Sequence, residues 1–230
     1  MTALSIIVPA LDEAAAIEAC LAPLQALRAR GAEVVVVDGG SADRTAALAA
    51  PLADRVIDSP RGRARQMNAG AEASRGEALL FLHADTVLPD SADAAVRGAI
   101  ESGARWGRFD VTITGADPLL AVVGAMMNAR SRLTGVATGD QAIFVRRDAF
   151  RAAGGFPDIP LMEDVALSKR LKRAGRPACL RARVVTSGRR WERHGTLRTV
   201  LLMWRLRLAY ALGADPRQLA GRYGTERTSS

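Results

Sequence analysis

Lysine is nearly missing from this chain. Of its 32 basic residues only Lys169 and Lys172 are lysines, so the formal net charge of +8 is carried by arginine. Such a charge favours anionic partners: nucleotides, phosphates, acidic lipid or nucleic acid. Aromatic residues are also scarce, at 4%, which leaves little capacity for base stacking and argues against a dedicated single-strand binder. No compact basic run stands out, so nucleic acid is not an expected partner. The two cysteines, Cys20 and Cys179, lie far apart without CxxC spacing. They read as reduced, buried thiols of a cytosolic protein rather than a disulfide framework. The longest apolar stretch, Pro118 to Met127, is shorter than the roughly 20 residues that span a bilayer. No basic region precedes the apolar N-terminal stretch, so it does not resemble a signal peptide. The GxGxxG and GxxxxGKS/T cradles for dinucleotides and triphosphates are absent too.

What is present is an ordinary globular composition, 49% hydrophobic and 24% charged over 230 residues, enough for a sizeable core. Buried strands are expected at Leu4–Pro9, Glu33–Asp38, Arg55–Asp58 and Ala78–Leu82, each a short apolar or β-branched run. Between them fall helices: one from Ile17 to Leu27 that Pro23 kinks or divides, one ending at Leu48 with Ser41 or Asp43 as its cap, and one over Arg63–Ala73. A helix over Ser91–Ser102, a half-buried strand around Phe109–Ile113 and a helix over Pro118–Leu133 follow. Then come a strand at Ala142–Arg146, a helix at Leu161–Ala174, a strand at Ala178–Val185 and an amphipathic helix at Leu197–Leu212. The βαβαβαβ opening predicts a parallel, doubly wound sheet with ligands outside the carboxyl ends of its strands. No internal repeat or linker divides the chain, so 1–230 reads as one domain.

Acidic groups gather where that ligand edge should be. Asp12 and Glu13 follow the first strand, Asp38 ends the second, and Asp85 follows the fourth in LLFLHADTVLPD. Asp38 precedes two glycines; it either accepts hydrogen bonds from a base or ribose or only closes a turn. Arg61, Arg63 and Arg65 lie at a loop-to-helix junction, a setting for diphosphate or simply a solvated basic face. His83 and Asp85 share a face if the strand runs through them, and Asp85 is an oxygen ligand suited to Mg²⁺ or Mn²⁺. Glu163 and Asp164 open a helix, as dipole partners or as a general base. His194 is the only other histidine, with a structural role and a metal or phosphate contact both open.

Four segments in order resemble the family 2 glycosyltransferases of GT-A fold: SIIVPALDEAAAIE, VVVVDGGSADRT, RARQMNAGAEASRGEALLFLHADTVLPD and GGFPDIPLMEDVALSKRLKRAG. The remainder, including TSGRRWERHG, resembles a small bacterial subfamily associated with arsenosugar biosynthesis. The resemblance implies a Rossmann-related, mostly parallel sheet with a nucleotide-binding half over about 1–104 and an acceptor-side half over about 105–230. It implies inverting transfer of a sugar from a UDP- or GDP-linked donor to the hydroxyl of a small-molecule or lipid-linked acceptor, assisted by Mg²⁺ or Mn²⁺. Carried over by position, Pro9 and Glu13 line the nucleotide pocket, Asp38 contacts the base, and Arg65 lies near base or diphosphate. Asp85 binds the metal, and Asp164 is the base, with Glu163 as the alternative. His83 stands where the family usually has Asp, so metal affinity is lowered or His194 supplies a further ligand.

Two rival functions remain at this level. A sugar-phosphate nucleotidyltransferase also uses a parallel sheet and a metal, but lacks support from an early GxGxR-type loop. A non-enzymatic basic protein on membrane or nucleic acid is the other. The expected location is cytoplasmic, with peripheral contact at the inner face of the membrane as an alternative. For the terminal helix, core or homodimer packing is preferred over membrane contact, because its arginines are not confined to one face.

Overall fold

Alternation along the central strands sends even and odd residues to opposite faces, and both faces are apolar, as a sheet covered on two sides requires. The computed structural model describes residues 2–228. Its strands are β1 (Leu4–Ala10), β2 (Glu33–Asp38), β3 (Arg55–Asp58), β4 (Ala78–Phe81), β5 (Thr86–Val87), β6 (Trp106–Thr114), β7 (Phe144–Arg146) and β8 (Ala178–Ser187). The helices are α1 (Ile17–Leu21), α2 (Leu24–Ala29), α3 (Thr45–Ala49), α4 (Arg63–Ala73), α5 (Ala92–Glu101) and α6 (Leu119–Thr134). They continue with α7 (Arg147–Ala152), α8 (Glu163–Leu171), α9 (Arg189–His194), α10 (Thr196–Ala211) and α11 (Pro216–Thr228).

One eight-stranded sheet runs in the order β3-β2-β1-β4-β7-β6-β8-β5. The first four strands are mutually parallel, as the βαβ pattern predicts. β7 enters antiparallel between β4 and β6, and β6 pairs parallel with β8. The fold is therefore GT-A-like and mixed rather than uniformly doubly wound.

On one face Ile6, Val8, Val34, Val36 and Leu80 pack under α1, α2 and α5. On the other, Ile7, Val35, Val37, Leu79 and Phe81 pack under α4, α7 and α8. Gly70 lets α4 sit this close: a Cβ there would overlap Ile7 and come within 2.8 Å of Val37. A third, smaller cluster joins Met162 and Val165 to Leu206 of α10 and Leu219 of α11.

Several expected elements shift. Pro23 does divide the first helix, standing as the N-cap of α2. α3 runs one residue past the expected end at Leu48, to Ala49, and Pro51 lies in the 3₁₀ turn that follows, Ala50–Leu52. β6 is buried on both faces rather than half-buried, because Arg108 and Asp110 turn inward as a pair and Arg132 closes on Asp110 at 2.8 Å. The terminal helix α10 packs on the core through Leu206, while Leu197, Leu201, Trp204, Leu208 and Leu212 on its other side are all exposed. Among the described residues no helix is long and apolar enough to cross a membrane.

Candidate active site

β1 and β2 finish side by side, with Ala10 opposite Asp38. Gln66 of α4 clamps both ends, its Nε2 donating to Ala10 O at 2.8 Å and Val37 O at 2.9 Å. Beyond them, the β1–α1 and β2–α3 loops are joined by side chains. Asp12 N–H donates to Ser41 Oγ at 2.9 Å, Glu13 N–H to Thr45 Oγ1 at 2.8 Å, and Ala14 N–H to Asp43 Oδ2 at 3.1 Å. Ala42 N–H returns a bond to Asp12 Oδ1 at 2.8 Å. Asp43 also serves α3, which begins after Arg44: its Oδ1 accepts the Thr45 N–H of the first turn at 2.9 Å, whereas Ser41 Oγ holds the neighbouring loop instead.

Asp38 is buried, and its carboxylate accepts the N–H groups of Gly40 at 3.2 Å and Ser41 at 2.9 Å together with the Ser41 hydroxyl. These bonds close the turn after β2. Half-buried Pro9 lies one place before Asp38 in the adjacent register, opposite Val37.

β4 stops at Phe81, so His83 and Asp85 do not share a strand face. Thr86 N–H donates to His83 O at 3.0 Å, closing a turn over His83–Thr86. The chain must turn here because Thr86 and Val87 leave to pair with β8 at the far edge of the sheet. Cys20 supports the turn from behind, its Sγ 3.4 Å from Thr86 O and 3.7 Å from His83 O. Burial, with the nearby Asp85 charge, pushes this thiol up to about 12, so it stays protonated.

The turn parts the two side chains. Asp85 faces the β1 loop, where burial first, and then the Asp85 charge, raise the Glu13 carboxyl, while Arg189 pulls it back. His83 faces the other way, its Nδ1 3.3 Å from Asp140 Oδ1. It lines a small cavity with Met67, Phe81, Gly139, Glu163 and Asp164.

Across that cavity α8 begins. Met162 adopts a left-handed backbone, φ 68°, and turns Glu163 into the protein, where it is 3% exposed. Glu163 Oε1 meets Arg63 Nη1 at 3.3 Å. Burial and the Asp164 charge raise the Glu163 carboxyl, with Arg63 opposing. Asp164 is more open; its Oδ2 accepts Gly139 N–H at 2.8 Å and its Oδ1 accepts Val165 N–H at 2.6 Å. Behind it lie Arg130 and Arg207. Burial, and then each other's proximity, push Arg130 down to about 10. Arg130 Nε and Nη2 are buried and make no hydrogen bond among the described residues.

The structure thus brings Glu13, Asp38, His83 and Asp85 to one sheet edge and sets Glu163 and Asp164 opposite. It does not bring Arg65 there: Arg65 pairs with Asp158 at 2.8 Å in an exposed bridge. Arg63, two residues earlier, reaches the site instead. His194, at the end of α9, joins no cluster of three metal-ligating residues with His83 and Asp85; no such cluster exists among the described residues. Arg130, Arg207 and Arg189 were not legible as site residues, since each lies on an element whose place in the fold the sequence does not reveal.

Residues 5–115 match the family model described as glycosyl transferase family 2. A PGL/p-HBAD biosynthesis glycosyltransferase of Mycobacterium bovis (strain BCG / Pasteur 1173P2) is 41% identical over 102 residues, which cover 41% of this chain. The match spans 40% of that relative's length. Among solved structures, the mannosyltransferase PcManGT from Pyrobaculum calidifontis in complex with GDP-Man and Mn²⁺ superposes with a TM-score of 0.66 at 22% identity, over 90% of this chain and 61% of that one. S. aureus TarS 1-349 in complex with UDP-GlcNAc superposes with a TM-score of 0.65 at 18% identity, over 80% of this chain and 58% of that one. Likeness at these identities concerns the fold.

Proposed function

Because residues 5–115 match the family model described as glycosyl transferase family 2, we propose that the chain moves a sugar from a UDP- or GDP-linked donor to an acceptor hydroxyl, with inversion at the anomeric carbon. The observation that carries this reading is the opposition of two charged sets across one sheet edge. Glu13 and Asp85 lie on the loop side with Arg189, and Glu163 and Asp164 lie across a small cavity from His83.

The loop side suits the diphosphate. Glu13 and Asp85 place two carboxylates close together on this side, and carboxylate oxygens are the donors that Mg²⁺ or Mn²⁺ takes together with substrate phosphates. The residues present fit such an ion carried with the donor, not a closed protein cage. Asp85 would hold it, and the ion would neutralise charge on the departing diphosphate. Arg63 and Arg189 add fixed positive charge on the same side. Asp38 fixes the turn beside the nucleotide, and His83 holds the Asp140 loop.

On the other side Asp164 is assigned as the general base. The acceptor oxygen attacks the anomeric carbon, the bond from that carbon to the phosphate oxygen breaks, and the hydroxyl proton passes to an Asp164 oxygen. Two backbone N–H groups orient that carboxylate. Glu163 is the weaker candidate, because it is buried against Arg63.

The test is calorimetric titration of UDP and GDP into wild type and Asp85→Ala, with and without Mn²⁺. Metal-dependent binding of one nucleotide, weakened tenfold or more by the substitution, is expected. Metal-independent binding, or unchanged metal dependence in Asp85→Ala, refutes the assignment of Asp85. Release of pyrophosphate from a nucleoside triphosphate and a sugar phosphate would favour the nucleotidyltransferase reading.

A further inference from the structure

Helix α10 has two apolar sides. One faces inward, burying Thr199 and Leu206, the latter against Met162, Val165 and Leu219. The other recurs at helical spacings of three and four: Leu197 is 67% exposed, Leu201 61%, Trp204 58%, Leu208 62% and Leu212 79%. α6, which touches α10, exposes Leu119, Val122 and Met126 as well. Large apolar side chains exposed in one contiguous stripe mark a surface that something covers.

The charge beside the stripe identifies the occupant. At 100° per residue, Arg198 and Arg205 lie on one flank of the stripe and Arg207 on the other. Arg198 and Arg205 are exposed, and α10 contains no carboxylate. A second copy on this stripe would set its own Arg198 and Arg205 near these, and like charges oppose such pairing. An anionic bilayer instead accepts the leucines and Trp204 at the acyl boundary and the guanidinium groups at the phosphates. We propose that the outer face of α10 docks this protein on an anionic phospholipid bilayer. The inference stands apart from the transfer reading, since it concerns a different face and is tested without turnover.

The experiment is co-sedimentation of the full chain with vesicles of phosphatidylcholine, and of phosphatidylcholine mixed with phosphatidylglycerol, with size-exclusion light scattering alongside. Wild type is expected to bind the mixed vesicles, less so at high salt, and to bind phosphatidylcholine far more weakly. Leu201→Gln/Leu208→Gln should lower partitioning by about tenfold or more. Arg198→Gln/Arg205→Gln should lower it roughly 20-fold, since each arginine near an anionic surface contributes about fivefold. All four side chains are exposed, so these variants keep the wild-type circular dichroism and melting temperature. Trp204 emission should shift to the blue on binding, and Trp204→Phe should abolish the shift while binding persists. No sedimentation of wild type overturns the proposal, as does sedimentation unaffected by either double substitution. A dimer that Leu201→Gln/Leu208→Gln dissociates would give the face to a second copy and overturn it equally.

Discussion

Asp164 Oδ2 receives the Gly139 backbone N–H at 2.8 Å, so the first turn of α8 is tied to the loop before β7. The next residue of that loop, Asp140, meets His83 Nδ1 at 3.3 Å. The turn after β4 and the start of α8 are more than eighty residues apart in the sequence, yet this short loop bridges both.

Gly139 has no room for a side chain, since a Cβ there would overlap the His83 ring. Gly139→Ala should destabilise the protein by about 1–3 kcal/mol through overpacking. Combined with His83→Ala, much of that loss should return, a coupling of about 1 kcal/mol or more in a double-mutant cycle. Urea denaturation of the four proteins measures it; strictly additive losses would show that the ring does not set the limit.

Asp164→Asn should keep donor binding and lose transfer by about 100-fold or more, the contribution of a general base. Near-normal turnover would remove Asp164 from the chemistry. Glu163→Gln answers a different question. Burial raises the Glu163 carboxyl, so the native chain holds that proton more tightly than the unfolded chain does. Its contribution to stability is complete below the ordinary value of 4.5 and is lost as pH rises through the raised native value. The stability of Glu163→Gln relative to wild type should therefore climb with pH across that window. A difference independent of pH would contradict the shift.

Asp93 shows the opposite sign. Its carboxylate is 1% exposed and bonds Arg30 at 2.9 Å, with Arg97 also on it; the Arg30 hydrogen bond chiefly holds it down to about 2. This stabilisation is present above the unfolded value of 3.8 and disappears as pH falls towards about 2. Asp93→Asn should cost on the order of 2 kcal/mol at neutral pH, and the gap to wild type should close in that acid window. Chemical denaturation at a series of pH values decides; a gap that persists at the lowest pH would rule it out.

Arg130 carries buried nitrogens that no described residue satisfies. Arg130→Met keeps the packing of the stem and removes the cation, so the melting temperature should rise, by the equivalent of about 1 kcal/mol. A lower melting temperature would show that its attraction to Asp164 and Asp140 outweighs its desolvation.

Much of the nucleotide-side half was legible because its signals are local. Runs such as LSIIVP and EVVVVD specify parallel strands by composition alone, and the βα order fixes which ends align. The far half was less so. β5 has two residues, too short for periodicity to register; a strand at β7 was expected, but its antiparallel entry is a tertiary choice. Arg63 and Arg65 looked equivalent in sequence. Only the fold shows that Asp158 engages Arg65 while Arg63 turns to Glu163. Whether the strand ran on through His83 and Asp85 was open for a similar reason: the geometry of the HAD turn follows from where β5 must go, not from its own residues.

The side chains of Asp12, Ser41, Asp43 and Thr45 bind one loop to the other through backbone amides that no strand ladder supplies. Opening either loop breaks bonds belonging to both, so their amides should exchange with solvent as one cooperative unit. A ligand arriving at this edge meets a surface whose ordering entropy was spent during folding. Association there should be limited by diffusion and desolvation, not by loop rearrangement.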